Sequence, residues 1–381
     1  MAHGGEGIAE LDGRVVFVRG AFPGDVVTVR LTQDKKRFAR AVVTEVVTAG
    51  PLRVPQACPA AAAGAGCCDF GELDPEAETA LKADILLGQL TRLGRVAQPP
   101  EPELYPLTPV RGWRTRVRLG VDKQGRAGFR AQGTHDIIPV ACSQVVPELI
   151  DGLLDRTYTP GAEIVAVLDS TGQRHVVETR RAPRGRRVEK VEQVLEGSGT
   201  VTERADGHTF RFPATAFWQA HVAAPHAYTA LVRQWLGELS AGGVGWDLYG
   251  GVGLFVPALA DALGGVIHSV DYSPAAAELT QDGLAGYSVE RHNQLVEKAI
   301  GTLPAPRVVV LDPPRTGAGE EVVAGVAKQD PERIIHVGCD PATFSRDVAA
   351  WGDAGYQLQK LAVLNAFPGT HHFEVMAELS R

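Results

Sequence analysis

From Gly245 onward the chain repeats one short grammar: an apolar run, a polar residue at its end, then a glycine turn or the start of a helix. Val244-Gly245-Trp246-Asp247-Leu248-Tyr249 leads into Gly250-Gly251-Val252-Gly253. Val266 to Asp271, Arg307 to Asp312 and Arg333 to Cys339 follow the same plan. Alternating strand and helix units of this kind imply an open α/β sheet, whose ligands bind outside the carboxyl ends of its strands. Those ends carry the polar residues, so this half of the chain is expected to hold the chemistry.

The first turn narrows the ligand. Glycines after a strand let the backbone approach a ligand closely, and an acidic residue ending the next strand can accept from ribose hydroxyls. Asp271, twenty positions after Gly251, has that place, with Asp247 ahead of the turn. Val256 stands where a dinucleotide fingerprint would want its third glycine. A nucleoside cofactor without a pyrophosphate fits better, and S-adenosylmethionine is the expected one.

Three further strand ends carry reactive groups. In Asp312-Pro313-Pro314-Arg315 the prolines stiffen a loop that could hold a planar ring, although a proline turn capped by Asp is the plainer reading. Cys339 precedes a helix start at Asp340-Pro341, where a helix N-terminus favours thiolate; a cysteine ending a strand can equally be a small buried hydrophobe. Glu374, between Phe373 and Val375 on a last strand running from His371 to Leu379, is either half exposed or a working base. His371 and His372 lack a ligand at helical spacing, which argues against a metal there.

Upstream the pattern is different. Short period-2 runs between residues 6 and 47, with a Pro23-Gly24-Asp25 turn, spell a small β barrel. Glu76 to Leu93 reads as a helix stopped by Gly94, Gln98 to Pro102 as a linker, and Trp113 to Phe212 as mostly β. The expected domains are 1–52, 53–210 and 211–381, with the 76–93 helix packing on the third.

Composition supports an ordinary folded protein: 44% hydrophobic, 22% charged, net charge -7 over 381 residues. No basic leader and no run of 18 apolar residues occurs, so the expectation is a cytoplasmic monomer with no membrane partner. Residues 111–190 carry 15 Lys and Arg against 9 Asp and Glu, in a chain otherwise acidic. Arg114, Arg116 and Arg118 alternate on one strand face, and Arg180, Arg181, Arg184, Arg186 and Arg187 form a run expected to be a loop. Both are candidates for RNA phosphates, or a solvated surface.

Asp247-Leu248-Tyr249-Gly250-Gly251-Val252-Gly253, Asp312-Pro313-Pro314-Arg315, Cys339-Asp340-Pro341-Ala342-Thr343 and His371-His372-Phe373-Glu374 together resemble the successive motifs of the RNA 5-methyluridine methyltransferases. Gly5-Glu6-Gly7-Ile8-Ala9 and the Lys35-Lys36-Arg37 tip resemble a TRAM domain, an OB-like RNA-binding barrel. The resemblance implies a Rossmann-like S-adenosylmethionine methyltransferase domain, a TRAM barrel and a mostly β central domain. It also implies rRNA or tRNA as substrate. By the same resemblance Cys339 is the nucleophile that adds to carbon 6 of uracil and Glu374 the base that removes the carbon 5 proton. Gln219 (in Phe217-Trp218-Gln219), Tyr249, Gly251, Gly253, Asp271, Asn293 and Asp312 are the expected cofactor contacts.

Rival readings are an RNA 5-methylcytosine methyltransferase, which usually has a cysteine in the Asp-Pro motif that is missing here, and a non-catalytic RNA-binding protein. Many family members carry a [4Fe-4S] cluster, which would fall to Cys58, Cys67, Cys68 and Cys142. Ala65 stands where a cysteine might be expected, and adjacent Cys67 and Cys68 need a sharp turn to reach one centre. Zinc and plain buried thiols stay open.

Overall fold

The computed structural model describes residues 1–184, 187–237, 239–273 and 281–381. Strands β1 (Gly7–Leu11), β2 (Arg14–Arg19), β3 (Val26–Asp34) and β4 (Phe38–Thr48) form a four-stranded sheet in the order β1-β2-β4-β3. Its core is small: Val16, Val18, Ala21, Ala39 and Ala41. Lys35, Lys36 and Arg37 are exposed at the turn between β3 and β4.

Helix α1 (Pro59–Ala62) is a single turn. Helix α2 (Pro75–Arg92) matches the expected helix, because Asp74 caps it by accepting from the Glu76 N–H at 3.0 Å and Pro75 fits its first turn. It packs against the C-terminal domain. Just after the expected linker, β5 (Glu103–Tyr105) pairs in parallel with a strand at Gln357–Leu364, so α2 and β5 pack with the C-terminal domain.

The central domain is a six-stranded antiparallel sheet of β6 (Arg116–Val121), β7 (Ala127–Arg130), β8 (Ile137–Ile138), β9 (Glu163–Leu168), β10 (Arg174–Arg184) and β11 (Arg187–Glu196), with helix α3 (Pro147–Ile150) beside it. The order is β11-β10-β9-β6-β7-β8. The arginine run expected as a loop is therefore the far end of a long hairpin, with Arg184 opposite Arg187. Arg186 lies outside the described residues. A second hairpin, β12 (Thr200–Ala205) with β13 (His208–Pro213), spans the expected boundary at 210. Val201, Phe210 and Phe212 share a core with Trp218 and helix α4 (Ala224–Leu236), which places this hairpin with the third domain.

The third domain is a sheet of eight strands, β5 included. The others are β14 (Gly245–Leu248), β15 (Ile267–Val270), β16 (Val289–His292), β17 (Val308–Leu311), β18 (Arg333–Gly338), β19 (Gln357–Leu364) and β20 (Glu374–Ser380). Their order is β16-β15-β14-β17-β18-β20-β19-β5, with β20 antiparallel to both neighbours. Helix α4 and α5 (Val256–Leu263) share the core of one face. On the other lie α2, α6 (Val296–Ala299), α7 (Gly319–Ala327) and α8 (Pro341–Asp353). The strand order reverses direction at β14, the switch point at which open sheets bind ligands. Among the described residues no helix is long and apolar enough to cross a membrane.

Candidate active site

Asp247, the third residue of β14, is fully buried, and its Oδ2 accepts the Ser269 hydroxyl at 3.0 Å. A Cβ on Gly250 would stand 2.2 Å from that same oxygen, so only glycine lets the turn close over the carboxylate. The turn is fixed from the next strand too, because the Gly251 N–H donates to Asp271 Oδ2 at 2.9 Å. Tyr249 adopts φ 59°, and its ring packs into the core on the α7 and α8 side; what it offers the crevice is its backbone. Asn293 follows β16 and, with its amide turned suitably, donates at 3.2 Å to the carbonyls of Asp271 and Tyr272. Gln219 is buried in the segment ahead of α4, next to Ala220, whose carbonyl accepts the Thr115 N–H. Tyr249, Gly251, Gly253, Asp271 and Asn293 thus meet at the carboxyl edge of β14 and β15, while Gln219 comes from the side of the central domain.

Cys339 and Glu374 are brought together by strand register. Gly338 of β18 faces Val375 of β20, so the residues just beyond them, Cys339 and Glu374, are neighbours at the same sheet edge. β20 begins at Glu374, three residues later than expected, because His371 to Phe373 belong to a loop held from outside the sheet. Glu374 is buried and its Oε2 has no hydrogen-bond partner. Burial, reinforced by Asp312, raises its carboxyl well above the ordinary value, against the pull of Arg315. Burial alone lifts Asp312 to about 7.

The thiol of Cys339 is pushed up to about 12 by burial and by the charges of Glu374 and Asp312, with Arg315 opposing. The helix N-terminus expected to favour thiolate is present: Asp340 caps α8, accepting from the N–H groups of Ala342 and Thr343 at 3.0 and 2.9 Å. Two carboxylates in a dry site outweigh it. Thr343 ties this helix start to the Asp-Pro-Pro-Arg loop by donating its hydroxyl to the Arg315 carbonyl at 2.9 Å. His3, from the N-terminal domain, meets Asp340 at 3.2 Å.

The loop from Asn365 to His371, which leads into Glu374, is held by residues that the sequence did not mark. Asp69 accepts the His371 N–H at 3.1 Å and meets its ring Nδ1, while the Phe70 N–H donates to the Gly369 carbonyl at 3.0 Å. Trp113 Nε1–H donates to the Pro368 carbonyl at 3.2 Å. On α2, Glu78 accepts the Gly369 N–H at 2.8 Å, and fully buried Lys82 donates to Asn365 Oδ1 at 2.6 Å. Gly369 sits at φ 79° with Gln144 filling the space a side chain would need. Burial, with His371 and Arg315 nearby, lowers His372 to about 3, so it faces the site as a neutral ring. A Lys on a helix reads as a solvated charge, so only the unusual pairing Glu78-x3-Lys82 could have signalled this clamp.

The four early cysteines converge. Cys58 Sγ lies 3.7 Å from the sulfurs of both Cys67 and Cys142, and Cys68 Sγ lies 3.5 Å from that of Cys142. A turn closed by the Gly71 N–H on the Cys68 carbonyl lets the two adjacent thiols face one centre. The [4Fe-4S] cluster expected here does not fit between thiols this close.

The arginines of the central domain divide. Arg116 pairs with Glu203 at 3.2 Å, both largely buried, and Arg114 lies over the Trp113 ring, within electrostatic reach of the cysteines. Neither faces solvent as expected. Arg118 and Arg130, each paired with Glu163, line an open groove of about 1060 Å³ with Arg180, Arg181 and Lys190. That groove is the basic surface of the domain.

The fold agrees with that of known proteins. Residues 2–44 match the TRAM domain model and residues 275–381 the tRNA (Uracil-5-)-methyltransferase model. An uncharacterized RNA methyltransferase of Corynebacterium efficiens is 56% identical over all of this chain and 93% of its own length. A 23S rRNA (uracil(1939)-C(5))-methyltransferase of Methylococcus capsulatus is 33% identical over all of this chain and 95% of its own. The chain belongs to the RNA uracil-5 methyltransferase family. The crystal structure of the Pyrococcus abyssi tRNA (uracil-54, C5)-methyltransferase with S-adenosyl-L-homocysteine shares the fold of this RNA methyltransferase. It is 22% identical, covers 96% of this chain and 94% of its own, and superposes with a TM-score of 0.71. The methyltransferase fold with an N-terminal TRAM domain, read from the strand-end motifs, is the observed one.

Proposed function

We propose that this methyltransferase transfers a methyl group to carbon 5 of a uridine in rRNA or tRNA through a covalent Cys339 adduct. The observation that carries the reading is the pairing of a thiol and an unpartnered buried carboxyl at one sheet edge, fixed by the Gly338–Val375 register. S-adenosylmethionine, when bound at the β14 and β15 edge, supplies the methyl group as a sulfonium.

Carbon 5 of uracil is a weak nucleophile, so the Cys339 thiol releases its proton to water, its sulfur bonds to carbon 6, and the ring electrons shift to an enolate whose carbon 5 takes the methyl as the sulfonium's bond to it breaks. Arg315 is the cation that offsets Asp312 and Glu374 around the thiol. Ionised Glu374, which Arg315 favours and which burial makes a stronger base than a solvated carboxylate, accepts the carbon 5 proton. The electrons of that C–H bond re-form the ring double bond as the bond from sulfur to carbon 6 breaks, which restores Cys339. A stacked base cannot reach Cys339, so the uridine enters unstacked. The basic groove and the Lys35-Lys36-Arg37 tip hold the flanking phosphates.

Cys339→Ala should abolish methyl transfer while S-adenosylmethionine still binds. Glu374→Gln should methylate and then stall, leaving protein joined to RNA on a denaturing gel. Running the trap with unmodified rRNA and tRNA separates the two substrates, and a Cys339→Ala enzyme with normal turnover would sink the proposal.

A further inference from the structure

We propose that Cys58, Cys67, Cys68 and Cys142 hold one tetrahedral metal ion of the zinc class, and that this chain has exchanged the four-iron cluster of its family for a mononuclear centre. A tetrahedral zinc with bonds of about 2.3 Å sets its thiolates about 3.8 Å apart. The sulfurs here stand 3.5 to 3.7 Å apart where they touch, and all four ligand atoms lie within 4.8 Å of one another. They are free cysteines, too far apart for the roughly 2.05 Å of a disulfide. A four-iron core places a separate iron behind each thiolate, which spreads the sulfurs to roughly 6 Å or more.

The sequence change explains the contraction. With Ala65 in the loop and Cys67 next to Cys68, two ligands come from consecutive residues, which brings their sulfurs close to a common point. Cys58, Cys68 and Cys142 are almost completely buried, among Ala60, Ala65, Val145 and Leu149. Four thiolates and a divalent ion carry a net charge of -2, which such a setting tolerates only with a cation nearby. Arg114 is that cation: its buried guanidinium, over the Trp113 ring, is within electrostatic reach of Cys142, Cys68 and Cys67, and its Nε is buried without a partner. Four mutually close buried sulfurs with a buried cation in reach are a ligand set rather than packing.

The centre also has a mechanical role, which rests on the proposed function. Asp69 and Phe70 follow Cys68 directly and grip His371 and Gly369, on the loop that ends at Glu374. An ion on Cys68 therefore anchors the loop that places the base.

The test is metal analysis of the full-length protein purified without oxygen from cells supplied with both iron and zinc. The expected result is colourless protein with about one zinc per chain and neither iron nor acid-labile sulfide. Exchange for cobalt should give intense thiolate-to-cobalt charge transfer, which the nitrogen and oxygen donors of the separate His268, Glu290 and His292 group cannot produce. Cys67→Ser should weaken that band; if the variant does not fold, the cobalt spectrum of the unaltered protein decides. Brown protein with about four irons and sulfide per chain overturns the proposal. So does reduced protein that carries no metal and takes up no cobalt. None of these readouts depends on methyl transfer, so they stand or fall apart from the activity.

Discussion

Replacing Asp247 with asparagine removes a buried charge while keeping the side chain's shape and an oxygen that can still accept the Ser269 hydroxyl at 3.0 Å. In the unaltered protein Asp247 is 0% exposed, its Oδ1 has no partner, and burial pushes its carboxyl from 3.8 up to about 7. A carboxyl raised by folding means that the folded protein holds a proton which the unfolded chain has released. Stability from this group is therefore whole below about pH 4 and is lost as pH climbs to about 7. Each unit is about 1.4 kcal/mol, so between pH 5 and pH 8 only the two units up to about pH 7 count, a loss of about 2 to 3 kcal/mol. Asparagine suffers no such loss. Urea unfolding followed by tryptophan fluorescence at pH 5 and pH 8 should show Asp247→Asn gaining that amount on the unaltered protein between the two pH values. A difference between the two proteins that is equal at both pH values would refute the reasoning, since Asp247 would then ionise as if in water.

Two other perturbations test what holds the base and what holds the RNA. Lys82→Ala strands the Glu78 carboxylate in a dry site and should cost about 3 to 5 kcal/mol in chemical denaturation, part of it recovered by adding Glu78→Gln; an undiminished stability would mean the pair is not buried as described. Changing Arg180, Arg181 and Lys190 together to Ala should weaken RNA binding and reduce the log-log salt slope by about 2 to 3, at 0.7 to 0.9 per phosphate, leaving S-adenosylmethionine affinity unchanged; an unaltered slope would return the groove to solvated surface.

The strand ends were legible because a parallel sheet writes them in a local code. Asp271, Asp312 and Cys339 each follow an apolar run, and the structure sets them along one edge. Glu374, which starts an antiparallel strand, was legible through the His371-His372-Phe373-Glu374 motif instead. What stayed hidden depends on partners distant in sequence. Arg116 looks like any strand arginine until Glu203, 87 residues on, meets it. Lys82 needs Asn365, 283 residues away, to be read as buried. β5, just after the 98–102 linker, was not legible because it has only three residues and takes its identity from β19. Periodicity records which face a residue occupies, and it does not record what that face is pressed against.

The position of β20 has a consequence for how the sheet is assembled. β20 lies between β18 and β19, both of which precede it in the chain, and it runs against both. Until it inserts, β18 and β19 present bare edges to a gap one strand wide, open to pairing with other chains. β19 and β20 are joined only by the 365–373 loop and can pair as a hairpin, so the longer-range step is the pairing of β20 with β18. Because the inserting strand starts at Glu374, the step that seals the sheet also delivers the carboxyl to Cys339. On the proposed mechanism, a half-closed sheet therefore leaves the Cys339 thiol without its base until the domain is complete.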